Sequence, residues 1–394
     1  MMHAIQHLAR RIGLALAAML LTLALWEAAC FVWPAKHQMD NPWYTMVGDD
    51  ALSASTDLPF ERPPHFTWTG SSRGDLAVIF GDRDPYAKTV TFKTDFQGFR
   101  NDTDIREADI VFIGDSYIEA GNVDFDKGMA QLVRARLGRS VRNLCRAVYA
   151  PPHELVVLKK YGLACKPKLV VWQIAESNDL DESVKFERWR QSGKPFFEST
   201  GLGRSTRRDT WRKRSPTQLL LSLFKAPKPY PIAGTFKARD GRDYRIRFLP
   251  QFPGRSQTPR VHPGKQVMGA AMKAGADLLK ELKIPLLIIV IPMKFHVLGD
   301  HIEPTQLTRE HMAGYQPIPQ KERLPEQMRQ YCEILNVPYV DATAALRAAT
   351  AEGELVYIPF DTHLNDRGHE IVADLIVDAI QNQESGVPAA PPNL

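Results

Sequence analysis

Chemistry in this chain starts at Ser116, which ends an abrupt stop to the apolar run Ala108-Asp109-Ile110-Val111-Phe112-Ile113 in the turn Gly114-Asp115-Ser116. A serine in a strand-to-helix turn exposes its hydroxyl at the carboxyl edge of a parallel sheet. Its own N–H, near a helix N-terminus, then faces a developing oxyanion. By itself Gly-Asp-Ser reads equally well as a turn with a capping serine. Two other segments change that balance. Phe360-Asp361-Thr362-His363-Leu364-Asn365 offers a carboxylate and an imidazole, and Ser177-Asn178-Asp179 offers an amide donor. A serine needs a base to become a nucleophile, and the base needs a partner to fix its tautomer. Together these residue types point to acyl chemistry through a serine ester.

That chemistry requires the three segments to meet at one sheet edge, and the intervening sequence supplies the means. Residues 108–113, 141–144, 169–174, 285–291 and 337–340 read as short buried strands,. Between them lie helical patterns, among them Met129 to Leu137, the stretch around Leu155, Ala270 to Lys283, Gln327 to Leu335 and the closing amphipathic Gly368 to Gln381. Five such alternations predict an α/β fold: a three-layer, doubly wound, five-stranded parallel sheet whose ligand site lies outside the carboxyl ends of the strands. A long insertion, 182–266, separates the third and fourth strands and contains a hairpin pattern from Thr235 to Phe248 around Asp240-Gly241,. It opens with the aromatic and basic stretch Phe186 to Phe197 and continues through Arg204, Arg207, Arg208, Arg212, Lys213 and Arg214. Such a segment suits a cap over an anionic or sugar-containing substrate, or equally a basic surface on anionic lipid headgroups.

Ahead of this domain, Arg10 and Arg11 precede an apolar run from Ile12 to Trp33 broken only by Thr22 and Glu27. Its length and flanking charge predict a single membrane anchor over residues 1–34, with the bulk outside the cytoplasm, in preference to a cleaved secretory signal. Lipidation at Cys30 is a minor alternative, because Glu27 occupies a position where an aliphatic residue is wanted. Residues 35–105 form an irregular lead-in with a short strand near Lys88 to Phe92, 106–383 the catalytic domain, and 384–394 a Pro- and Ala-rich disordered tail,. The net charge of +5 is too mild for a nucleic-acid protein,. Of the exported cysteines, Cys165 and Cys332 are the better-placed pair for a bridge, but all three, with Cys145, are expected reduced and buried.

The three blocks Gly114-Asp115-Ser116, Asn178-Asp179 and Asp361-Thr362-His363-Leu364-Asn365-Asp366-Arg367-Gly368-His369 resemble the first, third and fifth blocks of the SGNH/GDSL hydrolases. The resemblance implies Ser116 as nucleophile, His363 as general base and Asp361 as its partner, with an oxyanion hole from the Ser116 N–H, Asn178 and residue 148. Two departures stand out. The spacing is Asp-x-His in place of Asp-x-x-His, with Phe360 where the family's Asp would stand, and Val148 occupies the second block's glycine position. The shortened spacing, and Ile291-Pro292-Met293-Lys294, are similar to the membrane-anchored alginate O-acetyltransferase branch, which makes Lys294 and His296 candidate substrate contacts. A solvated lysine at a strand end is as good a reading of Lys294. His153 and His369 are expected in capping and structural roles. No metal or cofactor motif is present. The implied activity is hydrolysis or transfer of acyl, chiefly O-acetyl, groups on an acylated extracytoplasmic polysaccharide or glycan, with a membrane acyl-donor protein as partner by analogy. The alternatives are a non-catalytic glycan-binding or scaffold protein on a degenerate fold, favoured by Val148, and a basic membrane-surface adaptor.

Overall fold

The computed structural model describes residues 2–32, 57–80, 83–194, 196, 199, 215–217, 233–249, 262–312 and 319–385. The chain forms two compact units, Met1–Gln38 with Gly201–Pro229 and Met39–Thr200 with Tyr230–Leu394. In the first, Met2–Val32 is one helix, and its stretch Ile5–Ala29, mean hydropathy 1.9, is long and apolar enough to cross a membrane. Its acidic residue Glu27 accepts hydrogen bonds from Ser215 Oγ at 2.5 Å and the Thr217 N–H at 3.0 Å. The arginine-rich run 204–214 and the tail from 386 lie outside the described residues.

The second unit is built on a parallel sheet of β3 (Ile110–Ile113), β4 (Val141–Asn143), β5 (Leu169–Ala175), β8 (Leu286–Ile291) and β10 (Tyr339–Asp341), in the order β10-β8-β5-β3-β4. This is the doubly wound arrangement expected from the alternation: β3, β5 and β8 are buried along their whole length and read as nearly continuous apolar runs,. Strand periodicity divides the core in two. Ile110, Phe112, Val171, Leu287, Ile289 and Ile291 face the helices Met129–Leu137 and Asp366–Glu384. Val111, Val170, Trp172, Ile174, Ile288 and Val290 face Pro151–Val157, Gly264–Glu281 and Leu324–Leu335.

Three features differ from expectation. The Asp361–His363 segment does not follow β10 directly: the helix Thr343–Ala351 intervenes, a segment the periodicity did not single out. The insertion's opening residues belong to a regular helix, Asp179–Ser192, and its hairpin, β6 (Ala233–Lys237) with β7 (Asp243–Arg247), gains a third strand, β9 (Ile302–Pro304), from beyond β8. The lead-in is irregular but not peripheral. Its β1 (Thr67–Ser72) and β2 (Lys88–Lys93) pair antiparallel, and its arginines reach the end of the short helix that Ser116 opens. Arg100 donates to the carbonyls of Glu119, Ala120 and Val123, and Arg62 pairs with the Glu119 carboxylate, all buried. Cys145, Cys165 and Cys332 are buried and unbridged.

Glu119 also accepts the Ala147 N–H at 2.8 Å, so one carboxylate ties the lead-in to the loops around Ser116. Removing one partner of a buried ion pair strands the other charge, at a cost of about 3–5 kcal/mol. Glu119→Gln is expected to lose stability on that scale in urea unfolding of the full chain. Adding Arg62→Met to it should recover much of the loss, and a single variant as stable as the parent would contradict the coupling.

Candidate active site

Gly114, Asp115 and Ser116 leave β3, the neighbour of the central strand β5, at the sheet's carboxyl edge, and Ser116 opens the short helix Ser116–Glu119. Asp115 fixes that turn. Its Oδ1 accepts the Tyr117 N–H at 2.9 Å, and its N–H donates to Gln173 Oε1 at 3.0 Å. Glycine is required at 114 because a Cβ there would run into the Gln173 side chain on the neighbouring β5. The hydroxyl is thus presented on a rigid corner whose first N–H groups, as at any helix start, have no intrahelical partner.

Ser116 Oγ lies 2.7 Å from His363 Nε2, and His363 Nδ1 lies 2.5 Å from Asp361 Oδ1. All three residues are buried, at 9%, 7% and 0% exposure. The same Asp361 oxygen accepts the His363 backbone N–H at 2.9 Å, the two-residue Asx-turn contact that a short aspartate side chain makes readily,. The Asp-x-His spacing is therefore sufficient: one oxygen holds both the backbone and the imidazole of the residue two places on. Phe360, where the longer spacing would put the aspartate, is instead buried against Tyr86 and under the Arg247 guanidinium.

Burial alone would lower the pKa of His363, but Asp361, then Asp75 and Asp115, outweigh it and raise the imidazole to about 9,. Asp361 is buried, which raises its pKa, yet His363 outweighs that and holds the carboxyl below its ordinary value. Asp115 moves the other way, pushed up chiefly by burial. The Tyr117 ring sits 4.9 Å from the imidazole, and its hydroxyl donates to the Thr362 carbonyl at 3.0 Å.

The oxyanion-hole candidates fall as follows. The Ser116 N–H has no protein acceptor among the described residues. Asn178 sits at the end of β5, half-buried, and spends one amide N–H on Asp115 Oδ2 at 3.1 Å. Val148 adopts φ +70°, the left-handed conformation that glycine favours and a β-branched residue rarely takes,. The backbone here has a glycine-like conformation at the strain that a Cβ brings, typically about 1–3 kcal/mol.

The two residues expected to contact substrate are both buried and hydrogen-bonded within the protein. Lys294 is 4% exposed, and its Nζ donates to the carbonyls of Ile358 at 2.7 Å, Pro359 at 2.8 Å and Asp361 at 2.8 Å. With all three ammonium hydrogens committed it holds the loop that carries Asp361, and burial draws its pKa down to about 7 against the pull of Asp361 and Asp75,. His296 is buried with Nδ1 at 2.8 Å from Glu176 Oε2, which also takes the Met293 N–H at 2.9 Å, so it braces the end of β5. Neither side chain is open to a substrate. The aromatics Phe186, Trp189 and Phe196 pack edge-on among themselves and around His153, and so do not form a stacking platform. His153 Nδ1 accepts the Ala150 N–H at 3.1 Å, a capping role, and His369 is fully buried in the closing helix. Burial lowers both imidazoles to about 3.

Two features were not legible in the sequence. Asp75, from the lead-in, stands beside the triad, its carboxylate 3.9 Å from His363 Nδ1. The hairpin carries Tyr244, Arg245 and Arg247 to the triad loop, where Tyr86 and Tyr244 lie 5.9 Å apart, the Tyr86 hydroxyl accepts the Arg245 N–H at 3.0 Å and the Arg247 N–H donates to Pro359 O at 3.0 Å. Arg245 and Arg242 are exposed there. Donor atoms of Asp75, Asp361 and His363 fall within 4.8 Å of one another, a spacing a metal could bridge, but they are already hydrogen-bonded within this network.

The fold and site define a class, a doubly wound α/β protein with a buried Ser–His–Asp arrangement at the carboxyl edge of its parallel sheet. Residues 255–393 match the family model described as "SGNH hydrolase-like domain, acetyltransferase AlgX". That segment, roughly a third of the chain, includes Asp361 and His363 but not Ser116. No curated protein matches the chain. Among solved structures it is similar to a GDSL-like lipase from Bacteroides thetaiotaomicron VPI-5482 (12% identity, 70% of this chain and 88% of that one, TM-score 0.35). It is also similar to an acetyl xylan esterase (12%, 69% and 98%, TM-score 0.36) and to a catalytic mutant of an acetylxylan esterase from Geobacillus stearothermophilus (16%, 69% and 93%, TM-score 0.36). Likeness of this size carries no argument about activity.

Lys294 separates loop-holding from substrate contact. Lys294→Met removes the Nζ donor from three carbonyls; those of Ile358 and Pro359 keep the N–H groups of Asp361 and Arg247, and the Asp361 carbonyl is left without a donor among the described residues, which costs about 1–3 kcal/mol. The variant is expected to lose stability and kcat with KM little changed. A rise in KM at constant kcat would restore the substrate-contact role.

Proposed function

We propose that the protein is a serine acyl-ester enzyme acting on O-acetyl groups of a glycan outside the cytoplasm, anchored by its N-terminal helix. The observation that carries this reading is the continuous Ser116–His363–Asp361 hydrogen-bond chain on the sheet's carboxyl edge. His363 Nε2 takes the Ser116 hydroxyl proton as Oγ attacks the acyl carbonyl, and the oxyanion meets the N–H groups of Ser116 and Val148 and the Asn178 amide. As the tetrahedral adduct collapses, the C–O bond to the sugar or donor breaks and His363 returns the proton to the leaving oxygen. Water or a second sugar hydroxyl then takes the acyl group from Ser116 by the same steps in reverse. The family match favours an acetyl group, and the exposed arginines and tyrosines of the hairpin suit a sugar or anionic acceptor,. In the transfer version a membrane acyl-donor protein supplies the acetyl group.

The test is turnover of an activated acetyl ester by the full chain, with acetate and acetylated sugar followed together. Ser116→Ala is expected to lower kcat by about 10³-fold or more; unchanged turnover would sink the proposal. The pH dependence has a definite sign. Only neutral His363 accepts a proton, so kcat/KM should rise with pH through about 9. Stability should run the other way. A histidine whose folded pKa exceeds its unfolded value of about 6.5 contributes stability that is complete below that pH and lost as pH climbs through the folded value. Activity that instead saturates at or below pH 7 would contradict the charge environment assigned to the imidazole.

A further inference from the structure

We infer that Asp75, on the lead-in segment far from the motif blocks, is a positioning residue of the triad: it clamps the Asp361–Thr362–His363 turn and sets the charge seen by the imidazole. This rests on the functional reading above and deepens it. The contacts are specific. The Asp75 N–H donates to Asp361 Oδ2 at 3.2 Å, fixing the carboxylate oxygen that His363 does not use. Asp75 Oδ1 accepts the Thr362 N–H at 2.9 Å, and Oδ2 accepts the Thr362 hydroxyl. That hydroxyl oxygen lies 3.4 Å from His363 Nδ1, so side chains of Asp75, Thr362 and Asp361 converge on one ring nitrogen.

The strap that brings Asp75 there is itself tightly seated. The Gly74 N–H donates to Asp84 Oδ2 at 2.7 Å, the Ala77 N–H donates to Phe360 O at 3.2 Å, and a Cβ on Gly74 would strike the Phe360 carbonyl. With Lys294 on the carbonyls of 358, 359 and 361, the loop is held from both sides. In an Asp-x-His turn the residue between acid and base is the only slack, and Asp75 binds that residue by backbone and side chain. Ionisable groups facing the imidazole are Asp361 on its own loop, Asp75 on the lead-in, Asp115 and Tyr117 on the nucleophile's corner and His369 on the closing helix.

Asp75→Asn keeps size and backbone while removing the charge, so it separates a charge effect from simple bracing. Titration of the His363 imidazole by NMR in isotope-labelled full-length protein is expected to move its midpoint down by about one pH unit. The pH–rate profile should shift by the same amount, with kcat at its plateau falling by roughly 10-fold or more, the scale on which outer-shell partners act. An unmoved imidazole midpoint overturns the inference. Thr362→Val probes the same contact from the other side: it leaves the Asp75 charge, so the midpoint should hold while kcat falls by a similar factor, and unchanged kcat also overturns it. The NMR readout needs no turnover, so a parent enzyme inactive on acetyl esters but showing the shift would sink the functional reading and leave the role of Asp75 standing.

Discussion

The site depends on keeping one carboxylate ionised beside one imidazole in a place from which water is excluded. Asp361 is fully buried, and an isolated carboxylate there would take up a proton sooner than stay charged,. It remains ionised because every direction is answered: the imidazole and backbone N–H of His363 on one oxygen, the Asp75 N–H on the other. The shortened spacing makes this economical. An Asx-type turn delivers both His363 contacts from a single residue, whereas a longer spacing would need the carboxylate to come from further up the chain.

Neighbouring acids are treated in the opposite sense. Asp115, Glu154 and Asp179, all buried near Ser116, are pushed up mainly by burial, Glu154 further by the charge of Asp115 and Asp179 by those of Glu154 and Asp115. Groups that share an environment but are driven apart in this way concentrate the negative charge where the imidazole can use it. Asp75 falls between the two, raised to about 6 by burial and by Asp361 despite His363 and Thr362. The arrangement favours the charged imidazole and so holds His363 protonated at neutral pH.

Much of this was legible in the sequence because it follows from periodicity. All five sheet strands and most of their flanking helices come from apolar runs and helical spacing, and those runs bring Ser116, Asn178 and Lys294 to one edge without further information. What was not legible depends on tertiary neighbours. Asp75 sits in a segment without a period and meets Thr362 from 287 residues away, so no local signal marks it. Lys294 at a strand end looks solvated, since nothing in the sequence announces the three carbonyls that surround it. The helix Thr343–Ala351, mostly alanine and threonine, lacks the large apolar residues that make a stripe visible.

Val148 is the instructive intermediate case. Read by residue type, valine in a glycine's place argues for a decayed oxyanion hole. Read by backbone, it argues the reverse. A φ of +70° at a β-branched residue is unfavourable on its own, so the surrounding contacts must over-determine it,. Those contacts are the same buried set that braces the triad: Glu119 takes the Ala147 N–H, Arg146 donates to the carbonyls of Phe60 and Gly98, and Tyr149 donates to Phe60 at 2.5 Å. The lead-in thus grips both sides of the site, through Phe60 to Arg62 at the residue 148 loop and through Asp75 at the triad turn. A segment without regular periodicity supplies rigidity to a sheet edge that the sheet alone leaves open.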